Sequence, residues 1–550
     1  MTDLVSDPVG DLRSAVNDAA ASLRDGAEEG GAAPALERPP QPDFGDFSTN
    51  AAMLLAPALG EKPREVAARL ASGLEGGLGE DLDRVEVAGP GFLNLFLADG
   101  WYRRAAASLL AAGDDLGRPR APADPDGVLI EFVSANPTGP LTAAGGRHAA
   151  YGDSVGRALE LAGHLVQREY YVNDTGGQVE RFAASIAARM SGDEVPEDGY
   201  EGEYVAHLAQ ELAGEGLGPG ELEQLGRRGA ELMRSSIEQT LLRYRVEFDT
   251  WSSEREQYDS GSVDRMMAEL RERGHVYESE GATWLRTTSF GDDKDRVLIR
   301  SDGESTYYLG DIAYHRDKLE RSGGRLLDVL GADHHGYVER LRAGLAALGL
   351  DPERLEFSIM QLVHVVEGGE RAQMSKRRGE FVTLDELIDD IGVDATRFFM
   401  LQRSHDTTVD LDLELARTTS NENPVYYVQY AHARIASILR KAGDGAVERA
   451  VAADLAAVGG AVEPAERALL KRVCELPEEV AETAARRAPH RLCAYATATA
   501  ADFHAFYRDC QVVGAEGEGV EDFRLATCLL TKRTIAKTLS VLGISAPERM

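Results

Sequence analysis

The sequence predicts a multidomain α/β protein: a Rossmann-type parallel sheet with a helical insertion, a small α+β domain before it and an all-α bundle after it. Three observations carry this. Between about 125 and 410, short apolar runs alternate with helical stretches, the βαβ pattern of a parallel sheet. From 421 onward nearly every stretch repeats with helical period. Residues 1–105 mix helical patterns with one alternating pair of strands. The expected divisions are therefore 1–105, 106–420 with the insertion at about 177–290, and 421–550. A chain of 550 residues accommodates three or four domains at roughly 150 residues each.

In the first domain, 12–23 is a helical pattern and the Gly, Ala and Pro content of 28–42 marks a loop. FGDFSTNAAMLLA (44–56) reads as a turn and then a helix, with Ser48 or Thr49 as its cap. Residues 62–78 form another helix. The stretch 84–97 alternates on both sides of Gly89-Pro90-Gly91, a hairpin signal. The central strands are expected at 128–133, 165–172, 296–300, 326–330 and 357–366, and the insertion helices at 178–190, 204–213, 221–244 and 262–273. The bundle helices are expected at 425–442, 464–488, 490–510 and 521–542.

Composition narrows the function classes. No run of 18 apolar residues occurs, so no membrane partner is expected. The acidic N-terminus lacks the apolar core of a secretory signal. Cys474, Cys493, Cys510 and Cys528 form no CxxC pair and have no histidine cluster beside them. They read as reduced thiols of a cytoplasmic protein, with no metal site. No heptad or apolar stripe calls for more than a monomer. The net charge of −34, from 59 basic and 93 acidic residues, opposes a nucleic-acid partner unless a local patch supplies the footprint. Residues 521–550 offer one, with Arg524, Lys532, Arg533, Lys537 and Arg549 against Glu521, Asp522 and Glu548.

Two stretches carry chemistry. VLIEFVSANPTGPLTAAGGRHAAYGD (128–153) reads as strand, loop and helix N-terminus, an arrangement that binds phosphate. Pro137 and Pro140 stiffen the loop, and the small residues 143–146 let a ligand approach the backbone. Alone, it fits an ordinary βα turn equally well. QMSKRRG (373–379) is a Gly-flanked cationic loop that can close over a polyphosphate. Alone, it fits a solvated loop better.

Taken together, NPTGPL after one strand and MSKR after a later one resemble the class I aminoacyl-tRNA synthetases. FGDFSTNAAM (44–53), REYYVNDTGGQ (168–178), TYYLGDIAYHRDK (306–318), LGADHHGYVERLRAGLAALG (330–349), NENPVYYVQYAHARI (421–435) and LGISAPERM (542–550) narrow the resemblance to the arginyl-tRNA synthetases of bacterial type. It covers almost the whole chain.

The resemblance implies a reaction and a set of residues. Arginine and ATP, with Mg²⁺ as part of the substrate complex and no tightly bound cofactor, give arginyl-adenylate and pyrophosphate. The arginyl group then passes to the 2′-hydroxyl of the terminal adenosine of tRNA(Arg). The arginine carboxylate is the nucleophile, so positioning and charge stabilisation do the catalysis. Arginine is expected at Glu131, Ser134, Asn136, Tyr307 and Asp311, because a guanidinium is best met by carboxylates. For Glu131 an internal salt bridge is the competing reading, since a carboxylate in an apolar strand must be paired. ATP is expected at Pro140, Thr142, Gly145, Gly146, His148, Asp333, His334, Met374, Ser375 and Lys376. Asn50 and Phe92 in the first domain, and Tyr426, Tyr430 and Arg434 in an anticodon-binding bundle, are the expected tRNA contacts. His432 belongs with the latter group, and for Tyr427 and Tyr430 bundle core is at least as good a reading.

The sequence departs from the family at two points. Where the family carries His-x-Gly-His, this chain has Thr142, Ala143, Ala144 and Gly145. The first lysine of the family's Lys-Met-Ser-Lys is Gln373. The expected replacements are the Thr142 hydroxyl, the N–H groups of Gly145 and Gly146, charge from Arg147 and His148, and Lys376 with Arg377; Lys376, Arg377 and Thr142 are the catalytic candidates. A synthetase-like paralogue that binds tRNA or nucleotide without charging is the alternative.

Overall fold

The computed structural model describes residues 6–24, 34–120, 125, 127–371 and 382–550; of Pro42, His334 and His335 only the backbone is described. At its centre is a five-stranded, all-parallel sheet of the expected α/β class. In spatial order its strands are Leu355–Met360, Arg325–Gly331, Gly127–Glu131, Leu165–Val172 and Thr250–Ser253. The chain starts at Gly127–Glu131, builds outward to Thr250–Ser253, then returns to lay Arg325–Gly331 on the other side of its first strand. That reversal is a topological switch point. In open α/β sheets the ligand crevice lies outside the carboxyl ends of the strands at such a point, which here means beside Glu131 and Asp328.

Three strand expectations are corrected. Arg296–Ile299 does not join the parallel sheet. It pairs antiparallel with Ala282–Leu285, a partner close in sequence that needs no long crossover. The run 357–366 is two strands, Leu355–Met360 and Val363–Glu367, and the second joins a separate sheet with Val409–Asp412 and Glu370–Arg371. The break falls at Gln361 and Leu362. The Gln361 N–H turns to His405 O, and the carbonyls of both residues accept from Arg147. The first strand ends at Glu131 rather than 133, because Val133 and Ser134 adopt φ of 69° and 38°.

The N-terminal part has a four-stranded antiparallel sheet, Leu36–Glu37, Phe47–Thr49, Phe92–Leu97 and Leu82–Ala88, packed with helices Pro8–Arg24, Ala51–Leu59 and Pro63–Leu78. Ser48 and Thr49 belong to a strand, and of the two only Thr49 meets the helix, its Oγ1 accepting the Ala51 N–H at 3.2 Å. Asn50 holds the cap position, but its Oδ1 accepts the Ala35 N–H at 2.9 Å instead. The buried apolar residues of this part are continuous with Leu470, Val473, Phe523 and Leu530 of the C-terminal helices. A buried ion pair, Lys471 Nζ to Asp46 at 2.8 Å, crosses the same seam, and Tyr102 donates to Asp46 at 2.6 Å.

The C-terminal helices are Pro424–Ala442, Asp444–Ala452, Pro464–Cys474, Leu476–Arg486, His490–Asp509 and Val520–Val541. The expected 464–488 helix is two, because Pro477 starts a new helix and cannot continue the old one. All four cysteines are free and buried. Among the described residues no helix is long and apolar enough to cross a membrane.

One glycine on the helix Ala143–Leu161 shows how closely this helix meets the sheet. A Cβ at Gly152 would lie 2.3 Å from Phe132 Cγ. In a helix interior Ala normally beats Gly by roughly 0.5–1 kcal/mol. Here overpacking reverses the sign: Gly152→Ala destabilises by about 1–3 kcal/mol, read as a lower denaturation midpoint in urea.

Candidate active site

A cavity of about 530 Å³ opens at the switch point, lined by Tyr171, Glu254, Tyr307, Asp311, Tyr337 and Arg340 among others. A smaller pocket of about 70 Å³ continues beneath it and shares Tyr171, Asp311 and Tyr337, with Glu131 and Asp328 at its floor. Tyr307 begins the helix Tyr307–Ser322 and is 61% exposed at the mouth; Asp311 lies one turn further in.

The cavity wall carries charge of both signs: Arg296 pairs with Asp292, Arg300 with Glu304, and Arg340 lies over the Tyr337 ring, so none of the three is spent on the acids of the cavity. Burial pushes the Asp311 carboxyl above its ordinary range, against the opposing hydrogen bond donated by Tyr337. Glu254, 4% exposed at the start of the short helix Glu254–Asp259, is also pushed up, first by burial and also by the charge of Asp311. Its partners are neutral: Thr175 Oγ1 donates to it at 3.0 Å and the Asn173 amide at 2.6 Å. Among the described residues no lysine or arginine pairs with either carboxylate. A buried and a half-buried carboxylate held by phenol, hydroxyl and amide donors, with no ion pair to either, leave room for a cation.

Glu131 lies at the sheet end of the same region. Its Oε1 accepts from Ser134 at 2.9 Å and its Oε2 from Lys318 at 2.7 Å. The internal salt bridge is therefore present. Ser134 also accepts the Tyr171 N–H at 3.1 Å, which holds the strained turn after the strand. The Asn136 carbonyl accepts from the Thr138 N–H at 2.8 Å, and Tyr170 and Tyr204 donate to the carbonyls of Ala135 and Thr138. The loop is thus pinned from both sides. Pro140 is half-buried beyond it.

At the helix N-terminus the expectations need revision. Thr142 is the cap: its Oγ1 accepts the Gly145 N–H at 3.4 Å. The Gly146 N–H is spent on Thr142 O at 3.0 Å, and the Ala143 N–H on Val382 O at 3.1 Å. Gly146 therefore exposes no N–H. Its lack of a side chain serves packing instead, since a Cβ there would lie 2.7 Å from Leu384 Cδ1. Arg147 does not supply charge to the site. It is 1% exposed and donates to the carbonyls of Gln361, Ser404 and Thr407, each at 2.8 Å. Burial pulls its guanidinium down to about 10. The small side chains that suggested a phosphate cradle partly reflect this close packing. His148 is half-buried one turn further on, and Asp333 is exposed in the short helix Ala332–Tyr337. Met374, Ser375, Lys376, Arg377 and the His334 side chain lie outside the described residues.

On the C-terminal helices, Tyr426, Tyr430 and Arg434 form one half-buried ridge along Pro424–Ala442. The two tyrosine rings stack 6.1 Å apart at 8°, and Arg434 lies 5.3 Å from the Tyr430 ring and 4.6 Å from the exposed Tyr507 ring. Tyr427 packs against the core. His432 is not part of the ridge: it is buried, with Nδ1 bonded to Pro547 O at 2.9 Å. The local basic patch is largely spent as well, because Arg524 pairs with Glu466, Lys532 with Glu548, and Lys537 with the Asp114 carbonyl. In the N-terminal sheet, Phe92 is 40% exposed beside the Gly89-Pro90-Gly91 turn.

Known families match this arrangement along the chain. The arginyl-tRNA synthetase N-terminal domain matches residues 10–97, the class I (R) catalytic domain of tRNA synthetases 223–437, and the DALR anticodon-binding domain 428–550. An arginine–tRNA ligase of Shouchella clausii is 44% identical over 527 residues, 94% of each chain. The chain belongs to the arginyl-tRNA synthetase family. A second arginine–tRNA ligase, from Bacillus licheniformis, is 43% identical over the same share of both chains. The Thermus thermophilus arginyl-tRNA synthetase structure is 26% identical and superposes with a TM-score of 0.75, covering 98% of this chain and 99% of that one.

Several residues of this synthetase's cavity escape sequence reading: Tyr171, Glu254 and Tyr337 on its walls, and His315, Lys318 and Asp328 beneath. Asp328 alone had a usable signal, a carboxylate in an apolar strand, the same argument that singled out Glu131. Glu254 follows its Ser253 cap like any first-turn acid, and nothing marks it.

Proposed function

We propose that this synthetase activates arginine with ATP to arginyl-adenylate and transfers the arginyl group to the 2′-hydroxyl of the terminal adenosine of tRNA(Arg). The observation that carries the choice of arginine is the pair of carboxylates, half-buried Asp311 and buried Glu254, with which none of the cavity's arginines forms an ion pair. A guanidinium supplies that charge and meets carboxylates bidentately. Tyr307 covers it from the mouth, while Glu131, Ser134 and Asn136 take the amino and carboxylate groups at the end of the strand. The substrate carboxylate attacks the α-phosphate, so no protein base is required.

ATP, as its Mg²⁺ complex, then lies over the helix N-terminus at Pro140, Thr142, Gly145 and His148, with Asp333, His334, Met374 and Ser375 as its further ligands. Lys376 and Arg377 stabilise the departing pyrophosphate. Thr142, engaged as an acceptor, still has its hydroxyl proton to donate. With both motif histidines replaced, Lys376 carries more of the charge, and Lys376→Ala lowers the rate of adenylate formation tenfold or more in pyrophosphate exchange.

The divisions at about 105 and 421 then separate labour. Asn50 and Phe92 meet the body of the tRNA, and the Tyr426, Tyr430 and Arg434 ridge stacks on unpaired bases. We place the enzyme in the cytoplasm on its free thiols, and read it as a monomer because its sequence has no heptad or apolar stripe.

Titration with arginine and with citrulline, its neutral near-isostere, tests the specificity. Arginine binds, and citrulline binds at least 100-fold more weakly, because its urea leaves both carboxylates uncompensated. Equal affinities would remove the basis for this pocket.

A further inference from the structure

Three acidic side chains stand in one row across the sheet. Parallel register sets Asp328 beside Glu131 and Glu131 beside Glu169, and residues in register face the same side. Such a row is costly without countercharge. The helix Tyr307–Ser322 supplies it from one stripe. Tyr314 donates to Glu169 at 2.7 Å, and Arg321 reaches Glu169 at 2.8 Å. His315 Nε2 lies 2.6 Å from Asp328 Oδ2 and its Nδ1 lies 2.7 Å from the Asp311 carbonyl. Lys318 Nζ bonds Asp328 Oδ1 and Glu131 Oε2, each at 2.7 Å, and lies 4.6 Å from the Tyr314 ring centre.

Lys318 is fully buried, so it touches no substrate. Yet it holds Glu131, and it sits on the stripe that carries Asp311 two turns earlier. Burial alone would raise Asp328 and lower Lys318. The opposite shifts, Asp328 held low by Lys318 and His315 and Lys318 held high by Asp328 and Glu131, mark the contact as a close ion pair.

We propose that Lys318 is a positioning residue for arginine: fixed between Asp328 and Glu131, it aims Glu131 at the substrate amino group and locks the helix that sets Asp311 under the guanidinium. This rests on reading Glu131 and Asp311 as arginine ligands. Removing Lys318 alone would leave Asp328 to His315 and Glu131 to the Ser134 hydroxyl, with one cation fewer for two acids. The double change Lys318→Met with Asp328→Asn removes one charge of each sign, and the Asn carbonyl still accepts from His315.

The test compares this double variant with Glu131→Gln in pyrophosphate exchange with tRNA present. The double variant is expected to raise the KM for arginine about tenfold or more, as misplacing a bound group does, with the KM for ATP within twofold even where Tm falls modestly, since Glu131 keeps Ser134 but loses its cation. If both KM values rise together as Tm falls, the role is structural and the proposal is overturned. If only Glu131→Gln raises the arginine KM, the ligand reading stands and the proposal falls. If Glu131→Gln changes nothing, the ligand reading falls and takes the proposal with it. Should the double variant not fold, Asp328→Asn alone is expected to raise the arginine KM at least threefold without moving that for ATP. No rise would overturn the proposal.

Discussion

Asp311→Asn raises the KM for arginine by about 100-fold and leaves the KM for ATP unchanged. The guanidinium loses the carboxylate it pairs with, and breaking a buried charge pair costs about 3 kcal/mol, where each 1.4 kcal/mol is tenfold. The same substitution does not destabilise the free enzyme. Burial raises the folded-state pKa of Asp311 above its unfolded value. The folded state therefore holds its proton more tightly, and stability falls as pH climbs through that window. At neutral pH the ionised group is a net cost that Asn removes, so Tm stays level or rises while arginine binding collapses. Steady-state kinetics beside a thermal melt check both halves. A large loss of Tm would show Asp311 to be a structural ion-pair partner instead.

Arg397→Met has the largest expected effect on stability. Arg397 is fully buried on the helix Leu384–Leu401 and ties three distant segments together. Its Nε donates to Leu542 O at 2.7 Å, Nη1 to Tyr244 O at 3.0 Å, and Nη2 to Asp153 at 2.5 Å. Asp153 keeps Arg157 as a partner, but the two carbonyls are left unsatisfied and a buried pair is broken. The expected cost is about 3–5 kcal/mol. In a chain of this size it appears as a lowered first melting transition rather than as one global free energy. Arg397→Lys does not rescue it, because one ammonium cannot span a three-way fork. An unchanged melt for Arg397→Met would show that the three segments do not depend on it.

The fold was legible where periodicity is long and local. Apart from 464–488, which is two helices, the expected helices of the bundle and of the insertion fall within a few residues of those observed, and the hairpin flanking Gly89-Pro90-Gly91 forms as read. Apolar runs misled where they carried no record of their neighbours. Residues 357–366 look like one strand, yet their hydrogen bonds divide between two sheets, a division made by His405 and Arg147 from remote parts of the chain. The site was legible in part. Glu131 stands out as an acid in an apolar strand, whereas Asp311 was marked only by the family resemblance. Glu254 and Tyr337 reach the cavity only through tertiary packing. Arg147 and Gly146 were misread for one reason: beside a motif, a buried clamp and a close-packed glycine have the sequence appearance of a charge donor and a backbone cradle.

The claim at the centre of this account is that the chain charges tRNA without the two motif histidines. Aminoacylation of total tRNA with labelled arginine, across a range of salt, tests it most directly. The account predicts arginine-specific charging that Lys376→Ala reduces by tenfold or more. A folded protein that binds ATP and tRNA yet charges nothing at any salt would contradict it and make the chain a non-catalytic relative.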